Sequence, residues 1–244
     1  MKALILNASP KKKGGASRYF GKLLKAALLG CDVTSVDVRS ENDYQKAISL
    51  LQDIDVLVIS APLYNDAIPS HFVPFLSEVE QLNKEKNMHF KVYTISNSGF
   101  VEGIQNKTHL KMYEAWCKRA NLCFCGGLGI GGGVMLHVLS VLLPILIILA
   151  LIEVGITVVQ TGSISFFDFL CINRSALVTL FFGAGAYIEI FRLSRTIRGG
   201  KRMSNRYTRV LLPSFLFLIV ADVFMALSYA AQLPRRIRLY FKKC

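Results

Sequence analysis

The sequence predicts an α/β fold, a doubly wound five-stranded parallel sheet, followed by an α-helical transmembrane region. Three observations predict it. Short apolar runs alternate with helical patterns through residues 1–133. The 19 residues 134–152 contain no Asp, Glu, Lys or Arg, and basic charge is concentrated beyond them. As a helix that run would extend about 28 Å, against a hydrocarbon core of roughly 30 Å. Two more apolar stretches follow at 175–191 and 210–233, the second with Asp222 as its one charge.

The elements of the first half follow in order. Residues 2–8 are an apolar strand ending in a Ser-Pro, lysine and glycine loop, before a helix over 16–29. Strands are expected at 32–38, 54–60, 89–96 and 122–128, and helices at 44–51, 70–82 and 106–120. Five strands alternating with four helices imply a parallel sheet covered on both faces. The first, third and fourth strands are continuously apolar, as central parallel strands are, whereas 32–38 alternates and suits an edge. Ligands in such sheets sit beyond the carboxyl ends of the strands, which places the chemistry in the loops at 7–17, 61–70, 97–106 and 126–133.

Charge divides the chain at the same place. Residues 1–133 carry 16 Lys/Arg against 12 Asp/Glu, while 134–244 carry 13 against 4. Seven Lys/Arg fall in 192–209 and five in the tail, Arg235, Arg236, Arg238, Lys242 and Lys243. Basic clusters beside apolar spans read as cytoplasmic anchors facing anionic lipid, and no aromatic-interleaved basic motif points to nucleic acid. The expected organisation is a domain at 1–133 and a membrane region at 134–244 with two to three apolar helices and basic cytoplasmic segments. A first span would exit from about 134 and a second return from about 175, keeping 192–209 inside. A third crossing would carry the basic tail outside, so Pro213 and Asp222 leave that stretch either re-entrant or spanning. The apolar start of the chain is too short and turns polar too quickly for a secretory signal, and the first domain is expected to be cytoplasmic at a cell membrane.

Six cysteines lack CxxC or iron–sulfur spacing, and Cys123 and Cys125, on one side of a strand, read as core packing. His71, His89, His109 and His137 sit on different elements without metal-ligand spacing. GLGIGG at 127–132 fits a dinucleotide fingerprint in spelling only, because it follows the last strand and lacks an acidic partner. Its expected work is a flexible junction under the membrane.

NASPKKKGGAS, APLYNDAIPSHFVPFL, SNSGF and CGGLGIGGG together make residues 1–133 resemble the NADPH-dependent FMN reductase and flavodoxin-like NAD(P)H oxidoreductase family. The resemblance implies a flavodoxin-like fold, FMN as cofactor and NADH or NADPH as donor. It also implies that the first loop holds the FMN phosphate through Ser9, Lys11, Ser17 and Arg18. A dianion there needs hydroxyls, backbone N–H groups and a helix N-terminus, which Ser9, Ser17, Gly14 and Gly15 provide. The run Lys11 to Lys13 otherwise reads as a solvated charge run. Pro62, Leu63, Tyr64 and Asn65, with Asn97, Ser98, Gly99 and Phe100, are the implied ring contacts. Ala8 stands where many relatives have glycine, and relatives lack the apolar block. With hydride chemistry delegated to FMN, no protein acid or nucleophile is required. The expected function is a membrane-tethered FMN-dependent NAD(P)H oxidoreductase passing electrons to a quinone or similar small acceptor, in contact with membrane lipid and compatible with a homodimer. The alternative is a non-catalytic flavin-binding regulatory or scaffold module of a membrane complex.

Overall fold

A computed structural model describes residues 1–12, 14–219, 221–223, 226 and 229. The chain divides into two compact units, Met1–Val210 and Leu211–Cys244. The first contains β1 (Lys2–Asn7), α1 (Ala16–Ala27), β2 (Asp32–Asp37), α2 (Glu41–Leu50), β3 (Val56–Pro62), α3 (Val73–Lys86), β4 (Lys91–Asn97), α4 (Lys107–Arg119), β5 (Cys123–Ile130), α5 (Gly133–Thr161), α6 (Phe166–Arg198) and β6 (Arg206–Thr208). In the second unit helical backbone is described at 214–219. The basic tail, with Cys244, lies outside the described residues.

The strands form one parallel sheet in the order β2-β1-β3-β4-β5-β6. Its first five places follow the flavodoxin-like winding 2-1-3-4-5. Every residue of β3 is buried, as its apolar run required, and β2 at the edge is largely exposed, with Val36 as its one buried residue. One face carries the main core, where Leu4, Leu6, Leu57 and Ile59 meet Phe75 of α3 and Trp116 of α4. The Trp116 indole N–H donates to the Leu76 carbonyl at 3.0 Å, so the largest buried side chain leaves no polar atom unpaired.

The expected count of five strands is corrected to six among the described residues. β6 pairs Arg206, Tyr207 and Thr208 with Leu128, Gly129 and Ile130. Its sequence lies inside a charge cluster and has no apolar run to reveal it. Side chains hold it instead: Arg206 Nε and Nη2 donate to the two Glu189 carboxylate oxygens at 2.5 and 3.0 Å, and Arg209 pairs with Glu102. A bidentate guanidinium fixes orientation as well as position.

The glycine-rich stretch is also not a flexible junction. Gly126 to Ile130 lie in β5, and a Cβ on Gly131 would collide with the Val101 carbonyl. Glycine is needed there for close packing of backbone on backbone.

α5 and α6 are 29 and 33 residues long and make an antiparallel hairpin. Gly162 in the left-handed conformation ends the first, and the Ser165 hydroxyl accepts the Asp168 N–H at 3.1 Å to start the second. The C-terminal part of α6, from Ala186 onward, closes the domain. Ala186, Ile190, Leu193 and Ile197, spaced three to four apart, are buried where α6 meets α1 and β5. Tyr187 fixes the level, since its hydroxyl lies 3.2 Å from that of Tyr19 in the first turns of α1, at the carboxyl edge of the sheet. α6 ends at the opposite edge, where Lys91 Nζ donates to the Gly200 carbonyl at 2.6 Å. The preceding part of α6 therefore projects beyond the carboxyl edge by about 31 Å, at 1.5 Å per residue.

Both helices are long and apolar enough to cross a bilayer. A core helix of a soluble protein would be mostly buried, but only 11% of the most apolar window of α5 is, and 39% of that of α6. Ile145, Ile148, Leu149, Leu151 and Ile152 are exposed.

Candidate functional site

The carboxyl ends of β1, β3 and β4 converge on a cavity of 170 Å³ lined by Ser9, Lys11, Gly15, Ala16, Ser17, Pro62, Leu63, Tyr64, Asn97, Ser98, Gly99 and Val134. It lies at the β1/β3 switch point, where a doubly wound sheet leaves a crevice. Nine of the twelve residues expected from the sequence line it.

Its floor is built from buried hydroxyls. Ser9 and Ser17 are 2% and 1% exposed. Ser9 Oγ accepts the Lys11 N–H at 3.4 Å, and Ser17 Oγ accepts the Asn97 amide at 2.8 Å. Each hydroxyl is thereby oriented as an acceptor, with its own proton left to donate to a ligand. α1 begins at Gly15 without a side-chain cap, so its first amides and dipole face the same space. An anion fits this chemistry: two hydroxyl donors, an uncapped helix start and Lys11 at the rim.

Arg18 lies elsewhere. It pairs with Asp37 and lines a separate cavity with Asn7 and Val36. Asp37 also accepts the Asn7 amide at 2.7 Å and faces Arg39 at 3.4 Å. Arg39 in turn donates to the Lys11 and Lys12 carbonyls at 3.1 and 2.9 Å. Arg18 thus helps shape the loop through Asp37. Arg39, 28 residues from Lys11, had no motif to mark it.

Asn65 and Asp66 take positive φ in a two-residue turn closed by the Ala67 N–H on the Tyr64 carbonyl at 3.0 Å. Asn65 lines a neighbouring cavity of 520 Å³ with Pro10, Arg39 and His71, and Tyr64, 42% exposed, borders both cavities. An aromatic face with a cavity on either side suits a flat ring. Phe100 is 56% exposed and does not line the cavity. Its carbonyl accepts the Gly132 N–H at 2.6 Å, which fixes the turn into α5.

Two features of the site come from beyond the expected loops, one lining the cavity and one bonded to its rim. Val134 is the second residue of α5, and His137 Nε2 accepts the Gly15 N–H at 3.1 Å. The hairpin therefore begins against the anion cradle, joined by a contact across 122 residues. The isolated histidine carried no spacing signal by which the sequence could reveal this.

A polar network supports the third loop from below. Asn106 is fully buried and donates to the Ser98 hydroxyl and the Gly103 and Ile130 carbonyls at 3.3, 3.0 and 3.3 Å. Ser96 Oγ lies 2.7 Å from Asn106 Oδ1, which can only accept, and 2.6 Å from His109 Nδ1. Ser96 has one proton, so His109 Nδ1 donates and Nε2 keeps a buried lone pair. Burial pushes the His109 imidazole down to about 4, whereas an unfolded histidine titrates near 6.5. Between these values the unfolded chain binds more protons than the fold. This contribution is complete above about pH 6.5 and is lost as pH falls toward 4, about 3 kcal/mol in all. Urea midpoints at pH 7, 5.5 and 4.5 are expected to fall accordingly, and a His109→Gln chain should lose this part of the slope.

No protein-family model and no curated protein matches the sequence. Similar solved structures include a Trp repressor binding protein from Bacillus subtilis, at TM-score 0.44 and 16% identity over 53% of this chain and 84% of that one. A protein (NADPH-quinone reductase) from P. pentosaceus gives TM-score 0.42 and 16% identity over 54% and 86%. An azoreductase from Bacillus anthracis gives 0.37 and 15% over 54% and 87%.

Proposed function

We propose that the protein is a membrane-tethered FMN-dependent NAD(P)H oxidoreductase. The observation that carries the reading is the joining of three loops into one cleft at the switch point, with buried serine hydroxyls and an uncapped helix start at one end and Tyr64 at the other. In this reading Ser9, Ser17 and the first amides of α1 hold the FMN phosphate, and Lys11 adds charge. Pro62, Leu63, Tyr64, Asn97, Ser98 and Gly99 border the ring, with Asn65 and Phe100 at its margin. Bound there, FMN would supply the hydride and electron chemistry, with NADH or NADPH as donor. The protein's part is to orient the ring, hold the phosphate and leave one ring face open.

Membrane attachment supports a lipid-soluble acceptor. The hairpin leaves from the edge that bears the cleft, so insertion of α5 and α6 brings the cleft to the lipid surface. Two polar side chains of the hairpin bond within their own helices, as suits lipid: Thr157 donates to the Glu153 carbonyl at 2.9 Å, and Asn173 to that of Phe169 at 2.8 Å. The basic segment around Arg195, Arg198 and Lys201 then lies on the same side as the sheet, the cytoplasmic side by the positive-inside rule. A quinone in the bilayer is met there at raised effective concentration.

The second reading, a non-catalytic flavin-binding module, draws on the Gly15–His137 hydrogen bond, which occupies one phosphate donor. Turnover separates the two. Anaerobic NADH or NADPH is expected to bleach the bound flavin in lipid vesicles, and a vesicle-dissolved quinone to restore its absorbance. Flavin that stays oxidised with both donors would favour the module.

A further inference from the structure

At the opposite, amino edge of the sheet a thiol pair lies beside an arginine. Cys123 Sγ and Cys125 Sγ are 3.5 Å apart. Arg202 Nη2 donates to Cys123 Sγ at 3.2 Å. The segment bearing Arg202 is fixed on β5: the Met203 N–H donates to the Cys125 carbonyl at 2.8 Å, and the Tyr93 hydroxyl to the Lys201 carbonyl at 2.6 Å. Lys91, at the start of β4, is anchored to Gly200 beside them.

We propose that Cys123 and Cys125 form a redox-active dithiol that exchanges with disulfide-bonded substrates, Cys123 as nucleophile and Cys125 as resolving thiol. The geometry assigns the roles. Cys125 is 1% exposed, whereas Cys123 is half-buried and reachable. Partial burial alone would raise the Cys123 thiol, but the hydrogen bonds from Arg202 and Cys125 and the charges of Arg202 and Lys91 outweigh it and hold it below the ordinary range. Burial, then the neighbouring Cys123 sulfur, push Cys125 up to about 11, so it keeps its proton until exchange begins. An electropositive, partly exposed thiolate is the reactive form of cysteine.

The exchange balances. The Cys123 thiolate attacks one sulfur of the substrate disulfide, whose S–S bond breaks, and a substrate thiolate leaves. That thiolate takes the Cys125 proton. Cys125 then attacks Cys123 sulfur, forming the internal disulfide and releasing the second substrate thiolate. Two electrons pass from the dithiol to the substrate. Alternate strand residues rise roughly 6.6 Å in all, near the upper limit of disulfide span. A register shift between Val92 and Tyr93, opposite Phe124 and Gly126, leaves Cys125 as the extra residue of β5. A bulge bends the strand locally. An internal bond closed under such constraint is readily reduced again, as exchange-active disulfides are.

The test uses the full chain in detergent with glutathione disulfide as probe and peptide-resolved mass spectrometry. The peptide holding both cysteines is expected to lose two hydrogens, with no lasting adduct, while Cys125→Ser accumulates glutathione on Cys123. Arg202→Gln should slow Cys123 alkylation at pH 7 by about three- to tenfold and move its pH profile upward, with Arg202→Lys restoring part of the rate. The wild-type result needs no substitution and so does not depend on a variant's folding. A wild-type peptide that keeps its glutathione adduct, or an Arg202→Gln profile superposing on wild type, would overturn the proposal.

Discussion

Replacing Ser9 and Ser17 together by alanine is expected to weaken FMN binding by about two to four orders of magnitude. Each hydroxyl offers a charge-assisted hydrogen bond to the phosphate, worth about 1.5–3 kcal/mol. A tenfold change in affinity corresponds to about 1.4 kcal/mol. The fold should survive, because the Asn97 amide that Ser17 accepts also donates to the Ala61 carbonyl at 3.1 Å. Fluorescence titration with FMN measures the loss, and circular dichroism checks the fold. Affinity within threefold of wild type would remove the phosphate from this loop. Arg18→Ala should have the smaller effect, since its guanidinium is spent on Asp37.

The second large effect concerns where the domain ends. Cutting the chain after Gly133 removes β6 and the buried stripe Ala186, Ile190, Leu193 and Ile197. Burial of the three larger side chains contributes about 1.5–3 kcal/mol each, comparable together with the whole stability of a domain. That fragment is expected to aggregate. A chain of residues 1–210 in which 139–183 are replaced by a short Gly/Ser linker keeps the stripe and loses the exposed apolar helices. α5 and α6 pack together, and packed helices lie about 8–10 Å apart, a span that such a linker covers. This variant should be soluble and cooperative in urea, whereas the intact protein should resist carbonate extraction. Solubility of the 1–133 fragment alone, or carbonate release of the full chain, would contradict this division of the molecule.

The sheet was legible because apolar runs and loop residues are local signals. β3 reads directly as a central strand, and the Ser-Pro, Pro-Leu-Tyr and Asn-Ser-Gly loops fall at strand ends as chain order dictates. The cleft followed, since parallel winding brings those ends together. What stayed hidden depends on distant partners. β6 is three residues whose position is set by Glu189 and β5 rather than by their own hydropathy. The stretch 175–191 reads as one apolar span, although α6 exposes Leu177, Val178 and Phe181 in its outer part and places Ala186 and Ile190 in the domain core. His137 and Arg39 reach the first loop only through folding. The Cys123–Cys125 pair reads as packing until Arg202, 79 residues later, is laid beside it.

FMN binding by the intact chain tests the central claim most directly. Detergent-purified protein, incubated with FMN and freed of excess, is expected to release stoichiometric FMN on denaturation, and quenching by spin-labelled lipid in vesicles should place the bound flavin near the bilayer surface. A chain that remains folded, as shown by circular dichroism, yet retains no flavin would contradict the assignment of the cleft and the function built on it.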